Sequence, residues 1–130
     1  HPMKIINILL ILLFVFGLTL CSNSQVTNKR IKFKKGESSA TIEGGVIRGD
    51  RDTYLVGANK NQTMIVTIMS IEDNAVFQIV DRETGYYLDG AGEIDDAKRW
   101  EGSLPSKGDY QIIVGGTRGN AEYTLKVFIE

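Results

Sequence analysis

The acids Asp50, Asp52, Glu93, Asp95 and Asp96 and the loop arginine Arg118 are the residues of this chain whose types and spacing could do chemistry. A pair of carboxylates can hydrolyse a glycosidic bond, one as acid and the other as base or nucleophile. The same acids could hold calcium, a hard cation that takes oxygen ligands from loops, through Asp50-Arg51-Asp52 and Glu93-Ile94-Asp95-Asp96. Neither cluster has the spacing of a calcium loop, and nothing in the pattern sets two acids across a cleft. Both read as solvated charge and turn caps, and no metal site is expected. His1 is the single histidine and Cys21 the single cysteine, so beyond residue 21 there is neither. That excludes a Ser-His-Asp triad, a Cys-His pair and thiolate or histidine metal sites. It also excludes a disulfide framework, so burial alone must hold the fold. The expectation is a protein that is not an enzyme and needs no cofactor.

Arg118 stands in the middle of Gly115-Gly116-Thr117-Arg118-Gly119-Asn120. A guanidinium on such a loop can grip a carboxylate or phosphate of a partner through two parallel hydrogen bonds, or it can pin its own loop. Other motifs carry less. Gly90-Ala91-Gly92 opens like a dinucleotide fingerprint but has Asp95 where the third glycine belongs, and Gly115-Gly116-Thr117-Arg118 lacks the Gly-Lys-Ser/Thr of a phosphate loop, so both are turns. Trp100, between Arg99 and Glu101, reads as a core anchor on a strand and not as a sugar platform. Asn61-Gln62-Thr63 is a glycosylation sequon with meaning only in a eukaryotic host.

The elements that must position these residues begin after an export leader. His1-Pro2 precede Met3-Lys4, and Ile5 to Leu20 is an uncharged apolar run with Asn7 and Thr19 its only polar residues; one positive charge before such a run is the pattern of a signal peptide. The run is shorter than the roughly 20 residues of a spanning helix, and Ser22-Asn23-Ser24 replace a basic flank, so no membrane span is expected. Leu18-Thr19-Leu20-Cys21 resembles a lipobox, but Leu20 is not small, which favours soluble export over a lipid anchor on Cys21. The expected division is a signal peptide over 1–24, a linker over 25–29 and a single domain over 30–130, in the periplasm or secreted. Of the 15 lysines and arginines, Lys4 leaves with the leader, so 14 face 16 acids, a net charge of −2. Nucleic-acid binding would need a basic patch, which neither this balance nor any clustering supplies.

From Arg30 onward short β-rich runs alternate with turn residues: Ile31 to Lys34, Ala40 to Ile47, Thr53 to Ala58, Thr63 to Met69, Ala75 to Val80, Arg99 to Leu104, Asp109 to Val114 and Glu122 to Ile129. In the last run Tyr123, Leu125, Val127 and Ile129 share one face while Glu122, Thr124 and Lys126 take the other. That period of two, punctuated by Asn, Asp and Gly turns, predicts an all-β antiparallel sandwich, jelly-roll-like, with about eight strands. The two long connections, Asp81 to Lys98 and Gly115 to Asn120, are where such a scaffold carries function.

Five segments carry a family resemblance. They are Phe33-Lys34-Lys35-Gly36-Glu37-Ser38-Ser39-Ala40, Gly44 with Ile47-Arg48-Gly49, Asp52-Thr53-Tyr54, Ala58-Asn59-Lys60-Asn61-Gln62, and Ser103-Leu104-Pro105-Ser106-Lys107-Gly108-Asp109-Tyr110. Through them residues 31–129 resemble the periplasmic inhibitors of g-type lysozyme and, more widely, the pre-peptidase C-terminal-like β-sandwich domains. The first three segments speak for the inhibitors, and the last is shared with the wider group. The resemblance implies loops at one end of a sandwich that enter a lysozyme's cleft, with Arg118 facing its acidic groups and Asp50, Arg51, Thr117 and Asn120 beside it at the interface. Two positions depart from the inhibitor pattern: Asp50-Arg51 stands where the inhibitors carry a tyrosine, and Gly119-Asn120-Ala121-Glu122 stands where they carry further basic residues. The wider resemblance implies an alternative, a non-catalytic secreted module that binds a polymer or envelope component and is stabilised by calcium.

Overall fold

The computed structural model describes residues 28–130; the leader expected over 1–24, with Cys21, lies outside them. Alternating burial builds the strands. In the last one Ala121, Tyr123, Leu125, Val127 and Ile129 are buried while Glu122 and Lys126 are exposed, because successive side chains of a strand point to opposite faces. Eight strands form: β1 Asn28–Arg30, β2 Ser39–Val46, β3 Arg51–Ala58, β4 Thr63–Ser70, β5 Ala75–Asp81, β6 Arg99–Ser103, β7 Gly108–Gly116 and β8 Ala121–Ile129. They lie in two four-stranded sheets of order β1-β3-β7-β5 and β2-β8-β4-β6. The chain changes sheet at every connection, which is the jelly-roll manner of joining strands. The core between the inner faces includes Tyr110, Phe77, Met64, Ile79, Ile112 and Leu125, all fully buried. Truncating Phe77 to alanine there would cost about 3–5 kcal/mol.

Seven of the eight expected strands appear within a residue or two of their predicted limits. The first differs. Ile31 to Lys34 alternates in burial but is not a strand; pairing instead begins at Asn28, inside the stretch read as linker, and β1 runs parallel to β3 from Asn28↔Thr53 to Arg30↔Leu55. The physical reason is that Ile31 and Phe33 turn inward where the chain leaves one sheet for the other, with Ile31 buried and its N–H donating to the Leu55 carbonyl at 2.8 Å. Arg30 holds β1 in place by a two-point contact with Asp109, at 3.0 and 2.8 Å.

The long connection over 82–98 is spent on the fold. It follows the free edge of β5, where Phe77 N–H donates to Ala97, Ile79 N–H to Ala91 and Asp81 N–H to Tyr86, and it buries Leu88, Ala91 and Ala97. It thereby covers an edge whose unpaired amides would otherwise invite another strand. The Leu104 to Tyr110 segment has an equally structural explanation. The Tyr110 hydroxyl donates to the Ser106 carbonyl at 2.7 Å and accepts from the Ser106 N–H at 3.0 Å, a corner that locks the chain entering β7.

Candidate partner-binding loops

Three connections of four residues each meet at one end of the sandwich: 47–50 between β2 and β3, 71–74 between β4 and β5, and 117–120 between β7 and β8. Register brings them together. Val46 pairs with Ala121, Arg51 with Gly115, Ala75 with Gly116 and Ser70 with Tyr123, so all three loops leave the sheets at one level. Gly49 and Gly119 have φ of 86° and 61°, left-handed values that glycine adopts without strain.

A buried asparagine holds the group. Asn74 is 2% exposed; its Nδ2 donates to the carbonyls of Arg118 at 2.9 Å and Asn120 at 3.0 Å, and its own carbonyl accepts the Thr117 N–H at 2.8 Å. Ser70 Oγ accepts the Asn74 N–H at 2.9 Å. The 47–50 loop is tied in from the other side, where Asn120 Oδ1 accepts the Arg48 N–H at 2.7 Å. Nothing in the sequence around Asn74 singles it out. Its role depends on partners 44 and 46 positions away, which no local pattern displays.

All five expected interface residues lie at this end, and Asp50, Arg51, Thr117, Arg118 and Asn120 are all exposed. Arg118 Nη2 donates to the Glu72 carbonyl at 2.7 Å, so the guanidinium is braced against the neighbouring loop by one of its five N–H donors. Arg51 Nη1 donates to the Asp50 carbonyl at 3.0 Å. Its guanidinium lies flat over Gly115, where an added Cβ would come within 2.9 Å of it.

Asp52, Glu93 and Asp95 have structural partners. Asp52 Oδ2 accepts from the Tyr123 hydroxyl at 2.6 Å, and that hydroxyl lies 2.5 Å from the Tyr54 hydroxyl. Tyr54 and Asp52 belong to β3 and Tyr123 to β8, so this chain of polar atoms joins the two sheets just behind the loops. Burial, reinforced by hydrogen bonds to Asp52 and Tyr54, pushes the Tyr123 phenol far above its ordinary range. Tyr123 fits because Gly44 opposite it has no side chain; a Cβ there would stand 2.6 Å from the hydroxyl. In the long connection Glu93 accepts from the Tyr87 hydroxyl at 2.9 Å and Asp95 caps the Gly92 N–H at 2.7 Å. Among the described residues no group of three or more His, Cys, Asp or Glu side chains converges to hold a metal ion. Trp100 is half-buried against the core, its Nε1 donating to the Asp89 carbonyl at 2.8 Å.

Fold and site define a jelly-roll sandwich that presents three interlocked loops at one end. No family model matches the chain. Over 127 residues it is 32% identical to the Inhibitor of g-type lysozyme of Escherichia coli strain K12, covering 96% of this chain and 84% of that relative. The crystal structure of Aeromonas hydrophila PliG, a periplasmic lysozyme inhibitor of g-type lysozyme, superposes with a TM-score of 0.70 at 28% identity, over 82% of this chain and 98% of the other. The pre-peptidase C-terminal domain of a Bacillus anthracis collagenase superposes with a TM-score of 0.60 at 19% identity, over 82% and 99%, a likeness of fold alone. The chain belongs to the family of g-type lysozyme inhibitors.

Proposed function

We propose that this protein is an exported, periplasmic inhibitor of g-type lysozyme that acts by binding and has no catalytic activity of its own. The observation that carries the reading is the likeness to a g-type lysozyme inhibitor along 96% of the chain, together with a loop end that brings the five expected contact residues to one surface. Lysozymes cleave glycans with carboxyl groups in their cleft. A braced arginine at the tip of a rigid sandwich is suited to such a site, because a guanidinium pairs with a carboxylate through two parallel hydrogen bonds. The bracing also lowers the ordering cost of binding, since the 117–120 loop is already held by Asn74 and Glu72.

In this mechanism Arg118 enters the cleft and meets a catalytic or neighbouring carboxylate, Thr117 and Asn120 flank it, and Asp50-Arg51 contacts the cleft rim in the place of the family's tyrosine. The protein blocks access of the glycan and performs no bond chemistry. The test is the clearing of bacterial cell walls by g-type, c-type and i-type lysozymes in the presence of purified residues 26–130. Selective loss of g-type activity near one equivalent is the expected result, and unimpaired clearing by all three enzymes would overturn the reading.

A further inference from the structure

Three large apolar side chains stand exposed at the loop end: Ile47 at 65% in the 47–50 loop, Ile71 at 96% in the 71–74 loop and Met69 at 72% near the end of β4 before it. They line one continuous groove on the outer face of the β2-β8-β4-β6 sheet, formed by two depressions of about 650 and 530 Å³ that share Gly45, Ile71 and Glu122. The sequence explains the groove. Gly45 faces outward opposite Glu122 in the β2–β8 register, so a row that would carry two side chains carries one, and the floor sinks between Ile47 on one side and Ile71 with Met69 on the other.

Contiguous exposed apolar surface of this kind marks an interaction site more often than scattered single residues do. The charged side chains lining the groove are Glu43, Glu72 and Glu122, with no lysine or arginine among them. The groove is therefore apolar-walled and acidic, opposite in sign to the Arg118 tip. The two surfaces are continuous: Asn120 lines the groove and belongs to the Arg118 loop, and Glu72 both lines the groove and accepts the Arg118 hydrogen bond. Area points the same way. The three loops supply twelve residues, about half of the 20–30 per side that a stable protein interface engages.

We propose that this groove is a second contact surface for the lysozyme, gripping a segment outside the catalytic cleft that carries an apolar side chain beside a lysine or arginine. The proposal rests on the lysozyme-inhibitor reading of the loop end. The acidic groove and the cationic tip together fix the orientation of docking, because a partner turned the wrong way sets like charges against each other. Within the complex, Ile47, Ile71 and Met69 form the desolvated centre of this contact, and Glu43 and Glu122 its charged rim.

Ile71→Asp and Glu122→Lys test the groove, since both positions are exposed and remote from the core. Affinity for a g-type lysozyme is measured by titration calorimetry for the wild type, for each variant and for Arg118→Glu. The expected result is at least tenfold weaker binding for each groove variant, with thermal midpoints near that of the wild type. Wild-type affinity in both groove variants, with binding weakened in Arg118→Glu, would overturn the groove while leaving the loop-end reading in place. No binding by the wild type itself would overturn both. Sedimentation at the same concentrations covers the remaining occupant: self-association lost in Ile71→Asp, with lysozyme affinity unchanged, would assign the groove to a second copy of the chain and overturn the proposal.

Discussion

The side chain of Asn74 and the main chain of Arg118 form one unit: Asn74 Nδ2 donates to the Arg118 carbonyl at 2.9 Å from a position that is 2% exposed. The same amide reaches the Asn120 carbonyl, so one buried residue sets the path of the loop on both sides of Gly119. Asn74→Leu keeps the branched outline of the side chain and removes both donors. It should lower stability by about 1–3 kcal/mol in urea denaturation, the cost of leaving part-buried carbonyls unpaired. Inhibition should weaken as well, although Asn74 lies behind the surface, because the arginine it positions becomes mobile. A variant that loses stability but inhibits as well as the wild type would separate the loop's path from the function.

Arg118→Glu addresses the contact itself. Its exposed guanidinium makes one hydrogen bond to a main-chain carbonyl, so the thermal midpoint should change little. Binding to a g-type lysozyme should weaken at least tenfold, about 1.4 kcal/mol, because attraction to a carboxylate becomes repulsion. Affinity of the wild type should also fall with added salt, since screening shortens the reach of exposed charge, and the salt slope should be smaller in Arg118→Ala. Undiminished binding by Arg118→Glu would remove this residue from the mechanism.

Much of the architecture was legible in the sequence because the sandwich buries one face of each strand, and burial on alternate residues writes itself into a run such as Tyr123-Thr124-Leu125-Lys126-Val127. The strand that escaped, Asn28–Arg30, is polar throughout and exposed at all three positions; its place is set by pairing with β3 and by the Arg30–Asp109 contact, neither of which leaves a periodic trace. At the candidate site, glycines on both sides of Arg118 advertised a loop that presents a cation. The brace did not show, since Asn74 and Glu72 meet that loop only through the strand register. The packing of the long 82–98 connection was hidden for the complementary reason. Its Gly and Asp turns look like a free loop, while Leu88, Ala91 and Ala97, too widely spaced to make a pattern, bury it along β5.

The joint between the sheets yields a further expectation. Tyr123→Phe removes the hydroxyl that donates to Asp52 and meets Tyr54, and should destabilise the protein by about 1–3 kcal/mol. Gly44→Ala should be costly for a related reason, because its Cβ would stand 2.6 Å from that hydroxyl and 2.7 Å from Cζ, an overpacking worth about 1–3 kcal/mol. Combined in one chain the two changes should cost less than the sum of the singles, since the nearest clashing atom is gone while Cζ remains. Strict additivity in a double-mutant cycle would mean that β2 itself shifts to relieve the contact.

The same phenol, with Tyr110, should govern the alkaline limit of stability. Burial is the leading cause that raises both, by penalising the charged phenolate. Below about pH 10 the folded and unfolded chains both keep these protons, and the contribution to stability is complete. As pH rises further the unfolded chain ionises while the folded one resists, so the unfolded state gains about 1.4 kcal/mol per pH unit for each group. Urea midpoints measured from pH 9 upward should therefore hold steady and then fall beyond about pH 10, and the fall should be shallower in Tyr123→Phe, which has one fewer group to ionise. Tyr110 and Tyr123 should show phenolate absorbance only as the fold is lost. Ionisation of both while the protein still inhibits would mean that water reaches the Tyr54–Tyr123–Asp52 joint, and that the two sheets are held together there by packing and not by the hydrogen bonds.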